Sequence, residues 1–377
     1  MHVAVLGAGY AGLALTRQLE RSLPADVRLT LVDETDYHLA QHLLHTTIGK
    51  PKLADELTIE LSAALDRAEH RQAHVTGLDP DDGVAELENG QLSYDVGALT
   101  IGAETAFHGV SGAAEHGTPL KRLSHAHAIR ERFGELTADQ RAVVVGGGLS
   151  GVQVAGELAA LAADRDGNGE KEETGPTVLL VERSQTVAPG FSAEFQSAVR
   201  AALLDAGVEV RTGWDVTEVT PDRLGLADGG SVGHDQLVWT GGIAGDRAVG
   251  DRPRVRADLR LGERTLGLGD AVRVVDANGR LVPASAQTAV RQADVAATNV
   301  RRLLADNAPA PSLERYRYTG LGWLVSVGEE TVAQVGPTVL RGPAAKAVKT
   351  SVGTGYLGSI GAWDSAAEYA RTVLWPN

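Results

Sequence analysis

Two stretches of the chain repeat one pattern of apolar and polar positions. The first opens with HVAVL, apolar at nearly every position, passes through Gly7-Ala-Gly9-Tyr-Ala-Gly12, and continues as LALTRQLERSL, where apolar residues recur at helical spacing. A second apolar run, VRLTLVD, then ends on Asp33. The second stretch places AVVV before Gly146-Gly-Gly148-Leu-Ser-Gly151, then VQVAGELAALAA, then TVLLV ending at Glu182, with the polar insert DRDGNGEKEETGP delaying the last run. Short unbroken apolar runs read as strands buried on both faces, the signature of parallel sheets flanked by helices. Further on, GERTLGLGDAV reads as strand and turn, PASAQTAVRQADVAATNVRRLL as a helix, and GLGWLVSVG with TVAQVGPTVL as a strand pair. The pattern predicts an α/β chain with two Rossmann-like domains and a C-terminal region.

The glycine spacing adds chemistry to the pattern. Between strand and helix, the first glycine of G-x-G-x-x-G permits a tight turn, the second lets backbone approach a pyrophosphate, and the third lets the helix pack on the strand. Asp33 follows Gly12 at about 20 residues, where a carboxylate accepts ribose hydroxyls. Glu182 holds the matching place in the second stretch. Its charge should repel a 2′-phosphate and favour NAD(H) over NADP(H), against which the adjacent Arg183 works. Gly7, Gly9, Gly12 and Asp33 form one candidate dinucleotide site; Gly146, Gly148, Gly151 and Glu182 form the second. One FAD and one NADH suit such a pair, because a nicotinamide donates two electrons as hydride and a flavin releases them singly or together. Transfer between stacked rings rests on positioning and needs no general base.

Composition narrows the classes. The 377 residues suffice for two or three domains. A net charge of -14 with no basic run argues against nucleic-acid binding. No cysteine occurs, which removes a redox disulfide, an iron-sulfur cluster and a thiolate zinc site from consideration. Six lysines against 29 arginines, with acids in excess, look like proteins adapted to high salt. A first strand starting at His2 leaves no room for a signal peptide, so a cytoplasmic location is expected. The most apolar stretch, Val143 to Ala163, carries Gln153, Glu157 and several glycines and is not expected to span a membrane.

With the first loop, the segments DETDYHLAQHLLHTTIG (Asp33 to Gly49), FHGVSGAAEHGTPLKRLSHAHAIRERF (Phe107 to Phe133), GGGLSGVQVAGEL, LVERSQTVAPGFS, LVWTGGI and GLGDAV followed by PASAQTAVRQADVAATNV resemble type II NADH dehydrogenases. These are single-subunit, non-proton-pumping NADH:quinone oxidoreductases of the two-dinucleotide-binding flavoprotein superfamily. The resemblance runs through nearly the whole chain in order, and Phe107 to Leu123 is fairly specific to this branch. It implies a glutathione-reductase-like fold with a discontinuous FAD domain (1–110 and 250–310), an NAD domain (111–249) and a C-terminal region (311–377). It also implies that the first loop and Asp270 hold FAD, that the second loop holds NADH, and that a quinone is the acceptor. The helix after Asp270 would offer the N–H groups of its first turn, at Ala286 and Gln287, to an anionic reduced flavin. Gln153 and Gln287 are the candidate catalytic residues.

Three departures from the family pattern fall at the flavin and quinone end. Gln153 stands where the family usually has a glutamate, Arg291 and Gln292 where it has paired glutamines, and His42 where a proline follows Gln41. The acceptor is therefore the open question. The alternatives are an NADH oxidoreductase with a non-quinone acceptor and an NADH-sensing flavoprotein resembling apoptosis-inducing-factor relatives. A sulfide:quinone oxidoreductase resembles this branch too, but it needs catalytic cysteines.

Weaker signals remain. Asp164 to Gly169 fits the first half of a calcium loop, but Gly175 stands where a bidentate glutamate is needed, so an acidic solvated loop is expected. His38, His42 and His45 have the spacing of one helix face without a carboxylate partner, so no metal is expected there; His125 and His127 are read as solvent-facing. From Arg341 onward four bases face two acids, and Trp363 and Trp375 lie here. Such a segment suits peripheral contact with the cytoplasmic face of a membrane, the alternatives being packing on the chain's own domains or on a homodimer partner.

Overall fold

Apolar runs without alternation become the central strands of two parallel sheets. A computed structural model describes residues 1–166, 175–305, 312–360 and 362–374. Its main elements, in chain order, begin with β1 (His2–Leu6), α1 (Tyr10–Ser22), β2 (Arg28–Asp33), β3 (Glu69–Gln72) and β4 (Val96–Leu99). Then come α2 (Leu123–Glu135), β5 (Arg141–Val145), α3 (Leu149–Asp166), β6 (Thr177–Glu182), α4 (Ala193–Asp205), β7 (Glu209–Thr212) and β8 (Gln236–Trp239). The chain closes with β9 (Thr265–Gly267), α5 (Ala286–Leu304), β10 (Trp323–Val327), β11 (Glu330–Val335), β12 (Thr338–Arg341), α6 (Gly342–Ser359) and α7 (Trp363–Leu374). These elements divide into two compact units, and both units are discontinuous in sequence.

Unit 1 comprises Met1–Ala40, Thr58–Glu104 and Ala244–Gly320. Its sheet has the order β9-β4-β1-β2-β3, all parallel. Leu6 lies opposite both Val32 and Leu99, and Leu99 opposite Gly267, so the C-terminal ends of four strands share one edge. In such sheets ligands bind beyond that edge. Helix α5 packs along α1, where Gln18 Nε2 donates to Asp294 Oδ1 at 2.6 Å. A small antiparallel sheet buries Val75, Ala85, Leu87 and Leu92 against Ala4, Leu6 and Val32.

Unit 2 comprises Gln41–Leu57, Thr105–Ile243 and Leu321–Asn377. Its parallel sheet has the order β7-β6-β5-β8. Two features differ from the boundaries expected above. Gln41–Leu57 sits with unit 2, where Arg130 Nη1 of α2 donates to the carbonyls of Ile48 (2.6 Å) and Gly49 (3.0 Å). The C-terminal residues from Leu321 also build into unit 2: a side chain at Gly156 of α3 would lie 2.5 Å from Val327 Cα of β10, so this glycine is what admits the strand. The expected strand pair is a three-stranded meander, β10-β11-β12, because TVAQVGPTVL folds on itself at Gly336. Among the described residues no helix is long and apolar enough to cross a membrane.

Candidate functional site: two matched glycine loops

The two loops share their glycine geometry and the hydrogen bonds of their acid and threonine. In unit 1, Gly7 has φ 109°, and a Cβ on Gly12 would strike the Gly7 carbonyl oxygen; in unit 2, Gly146 has φ 106°, and Gly151 stands against the Gly146 carbonyl in the same way. The first and third glycines are thus required by the chain itself. The middle ones are not. A Cβ on Gly9 would have one neighbour, 4.0 Å away, and one on Gly148 none within 4 Å. Free backbone at these two points leaves open space at the starts of α1 and α3, and helix N-termini of this kind favour anions.

The acids repeat the symmetry. Asp33 Oδ2 accepts from Ala8 N at 2.5 Å and Oδ1 from Thr35 N at 2.9 Å. Glu182 Oε2 accepts from Gly147 N and Oε1 from Ser184 N, both at 2.6 Å. Thr35 Oγ1 also donates to Asp33 Oδ1, at 2.8 Å, so the acceptor capacity left on Asp33 is on Oδ2, whereas Glu182 keeps some on both oxygens, each of which can accept two bonds. Thr100 Oγ1 donates to the carbonyls of Leu6 and Gly7, both at 2.8 Å, and Thr240 Oγ1 to those of Val145 (2.8 Å) and Gly146 (3.1 Å). The threonines escaped the sequence reading, although each directly follows the strand that neighbours its loop, in LTIG and WTGG.

Unit 1 adds a second feature at the same sheet edge. After β9 the chain turns through Gly269 (φ 71°) into Asp270, held by Gln292 Oε1 accepting from Gly269 N (2.7 Å) and Arg252 Nε donating to Asp270 O (2.6 Å). A Cβ on Gly269 would lie 3.0 Å from Ala11 Cβ of α1, which sets the turn beside the first loop. Ser285 caps α5, accepting from Thr288 N at 3.3 Å, with Ala286 and Gln287 half-buried in the first turn. Gly7, Gly9, Gly12, Asp33, Asp270, Ala286 and Gln287 therefore belong to one unit, and Gly146, Gly148, Gly151, Glu182 and Gln153 to the other.

The model for pyridine nucleotide-disulphide oxidoreductases matches residues 1–293. The chain belongs to this family. A type II NADH:quinone oxidoreductase of Staphylococcus aureus is 25% identical, the match covering 95% of this chain and 96% of that protein. Among solved structures, NDH2 from Plasmodium falciparum in complex with NADH has a TM-score of 0.85 at 14% identity, covering 100% of this chain and 98% of its own. The sulfide:quinone oxidoreductase of Aquifex aeolicus has a TM-score of 0.78 at 16% identity, covering 100% and 96%. The fold is that of two-dinucleotide-binding flavoprotein oxidoreductases. As a member without cysteine, this oxidoreductase has no dithiol centre of its own.

In this oxidoreductase Gln153 lies on the second turn of α3, with Nε2 3.3 Å from His45 Nε2. Burial, aided by Lys349 and His42, keeps the His45 imidazole well below its usual pKa, so it is neutral. The histidines do not share a helix: His38 lies in the strand Tyr37–Leu39, His42 in a single turn, and His45 before the one-turn helix Thr46–Gly49. His38 is fully buried and held down at about 4 by desolvation, and its Nδ1 donates to Ala8 O at 2.8 Å. His127 faces solvent beside Glu131, whereas His125 is half-buried, its Nδ1 accepting from Lys121 N at 3.2 Å. The calcium-like stretch falls largely on residues 167–174, outside the described residues. Sequence reasoning also missed a cavity of about 120 Å³ in unit 2, lined by Gly146, Glu182, Arg183, Trp214, Asp215 and Trp239.

Proposed function

We propose that the chain is an FAD-dependent NADH:quinone oxidoreductase whose unit 1 loop holds FAD and whose unit 2 loop holds NADH. The observation that carries this reading is the doubled loop with its doubled hydrogen bonds, in a chain that aligns over nearly its whole length with a type II NADH:quinone oxidoreductase. FAD, when bound, supplies a ring that accepts hydride and passes electrons onward.

The chain's own residues bind and orient. Gly9 and Gly148 leave room for the pyrophosphates, and the N-termini of α1 and α3 complement their charge. Asp33 and Glu182 offer their remaining lone pairs to ribose hydroxyls. The Asp270 turn and the first turn of α5, with Ala286 and Gln287, hold the flavin. The recess beside Trp214 takes the adenosine end of NADH. Gln153 puts a neutral amide within 3.3 Å of His45, which burial keeps neutral.

Delivery of electrons to a membrane quinone requires a docking surface. Trp363, 71% exposed at the start of α7, suits contact with the cytoplasmic face of a membrane; a homodimer contact there is the alternative. Trp375 lies outside the described residues. A second reading, a non-quinone acceptor, is favoured by Gln153, Arg291 and His42, the three residues that depart from the family pattern. The test is direct. The purified protein should be yellow with one FAD per chain, NADH should bleach it about tenfold faster than NADPH, and Glu182→Gln should narrow that gap. A bleached flavin that a soluble quinone fails to reoxidise, while a small redox protein succeeds, would favour the second reading. Trp363→Ser should lower turnover with vesicle-embedded quinone and spare turnover with a soluble one.

A further inference from the structure

The proposed FAD site of unit 1 has a charge imbalance that its twin does not share. Asp33 and Asp270 bring two carboxylates to the sheet edge where a diphosphate, itself a dianion, would bind. The N-terminus of α1 offers about half a positive charge in return. In unit 2 the acid Glu182 is followed by Arg183, which lines the same recess; in unit 1 Asp33 is followed by Glu34. Unit 1 contains no lysine, and His38, the imidazole bonded to the Ala8 carbonyl of the first loop, is neutral. A full positive charge for this site can come only from arginine.

Arg252 is placed to supply it. Its Nε donates to Asp270 O at 2.6 Å and its Nη2 to Val272 O at 2.9 Å, so the guanidinium stands directly behind the turn. Through Gly269 the turn meets Ala11, in the first turn of α1. Arg252 is half-buried and, among the described residues, forms no direct ion pair. Burial draws its pKa down, while the nearby Asp270 carboxylate draws it up. It stays charged, as arginine does in proteins. Arg67 shows the contrast: it donates to the carbonyls of Glu20, Leu23 and Val27 at the C-terminus of α1, where the negative end of the helix dipole balances it. Arg252 grips only the three-residue turn Gly269–Ala271, too short to build such a field. A half-buried cation without a partner costs stability until an anion arrives.

Resting on the reading that unit 1 holds FAD, we propose that Arg252 is the counter-ion of the FAD diphosphate, acting from behind the Asp270 turn. Its charge offsets that of Asp270, so this acid can accept bonds from cofactor hydroxyls without repelling the dianion beside it. Arg252 is thus a positioning residue that acts through the turn, and the chemistry it selects is the charged half of the cofactor.

Release of FAD from the holoenzyme on dilution, followed by the return of flavin fluorescence, reads the affinity. Arg252→Gln keeps a donor for one carbonyl but no charge, and should raise the Kd for FAD about 30-fold. Arg252→Lys keeps the charge and loses the fork, and should recover most of that loss. Raising salt from about 0.1 M to about 1 M should weaken FAD binding in the parent and much less in Arg252→Gln. Urea unfolding with and without FAD supplies a second readout. A charge held ready for an anion burdens the empty protein, so the Arg252→Gln apoprotein should be at least as stable as the parent apoprotein, while its holoenzyme should be less stable than the parent holoenzyme. An unchanged Kd, an Arg252→Lys no better than Arg252→Gln, or an equal loss of stability in apo and holo forms would overturn the proposal, the last two marking a mere clamp. A parent that takes up no FAD would instead sink the reading of unit 1.

Discussion

The two glycine loops share their geometry, but they secure the carbonyl at the second position by different means. In unit 1 the Ala8 carbonyl accepts from the side chain of His38; in unit 2 the Gly147 carbonyl accepts from the main-chain N–H of Ala188 at 2.7 Å, where the chain adopts φ 48°. An imidazole can be neutral or charged, and a peptide N–H cannot change. One loop is therefore tied to pH and its twin is not. The comparison also separates what the loop needs from what its ligand needs. Whatever recurs in both units, namely the outer glycines, the threonine and the acid, is demanded by strand-turn-helix geometry as well as by nucleotide binding. Whatever occurs once, such as the Gly269-Asp270 turn and the α5 N-terminus in unit 1 or the Trp214 recess in unit 2, is where the two proposed nucleotide sites differ.

The largest effects should come from the outer and middle glycines. Gly12→Ala and Gly151→Ala each drive a methyl into the loop's own carbonyl and should cost about 4 kcal/mol or more in urea unfolding, in either unit alike. Gly9→Ala and Gly148→Ala face open space and should stay within about 0.5 kcal/mol of the parent. There the two copies part: Gly9→Ala should purify colourless, while Gly148→Ala should stay yellow with a KM for NADH raised more than about tenfold. A Gly148→Ala protein lacking flavin would reverse the assignment of loops to cofactors.

The next effect is specific to unit 1. Unfolded His38 takes up a proton below its ordinary 6.5, whereas the buried ring resists down to about 4, so folding stability is intact above 6.5 and is lost as pH falls toward 4. The full loss amounts to about 3 kcal/mol. His38→Asn keeps a donor for the Ala8 carbonyl without a titrating ring, and its urea midpoint should show that much less acid sensitivity. Equal acid sensitivity in parent and variant would place the titrating group elsewhere. Smallest and most symmetric are Thr100→Val and Thr240→Val, each expected to cost about 1–2 kcal/mol by leaving strand-end carbonyls short of a donor. A difference between them larger than that range would break the equivalence of the two copies.

What could be read in the sequence was what is local. HVAVL and AVVV show their strands because each is buried on both faces, and the glycines show themselves because only they fit against Thr100, Thr240 and the loop carbonyls. Both acids were legible because they end the next strand in line. The rest depends on distant pairings. Nothing near Gly49 announces that it must clear space for Glu157, nor does AAKAVK announce that Lys349 is buried opposite that acid. His38, His42 and His45 had helical spacing, yet strand pairing of Tyr37–Leu39 with Thr58–Glu60 overrides it. The Gln41–Leu57 segment looks continuous with the first domain and is claimed by unit 2 through Arg130, a residue far along the chain.

Because both units are discontinuous, the chain passes between them five times, and this has a consequence for synthesis on the ribosome. Strands β1 to β4 emerge early, but the edge of β4 is closed only when Thr265–Gly267 follows, and α1 is covered only by Ala286–Leu304 after that. At ordinary translation rates the nascent sheet waits about 10–30 s with one edge unpaired. An open parallel edge is a template for pairing with other chains. For this protein the hazardous interval is therefore the time spent making the whole of unit 2's first sheet, and slowing translation between Leu99 and Thr265 should lengthen it directly.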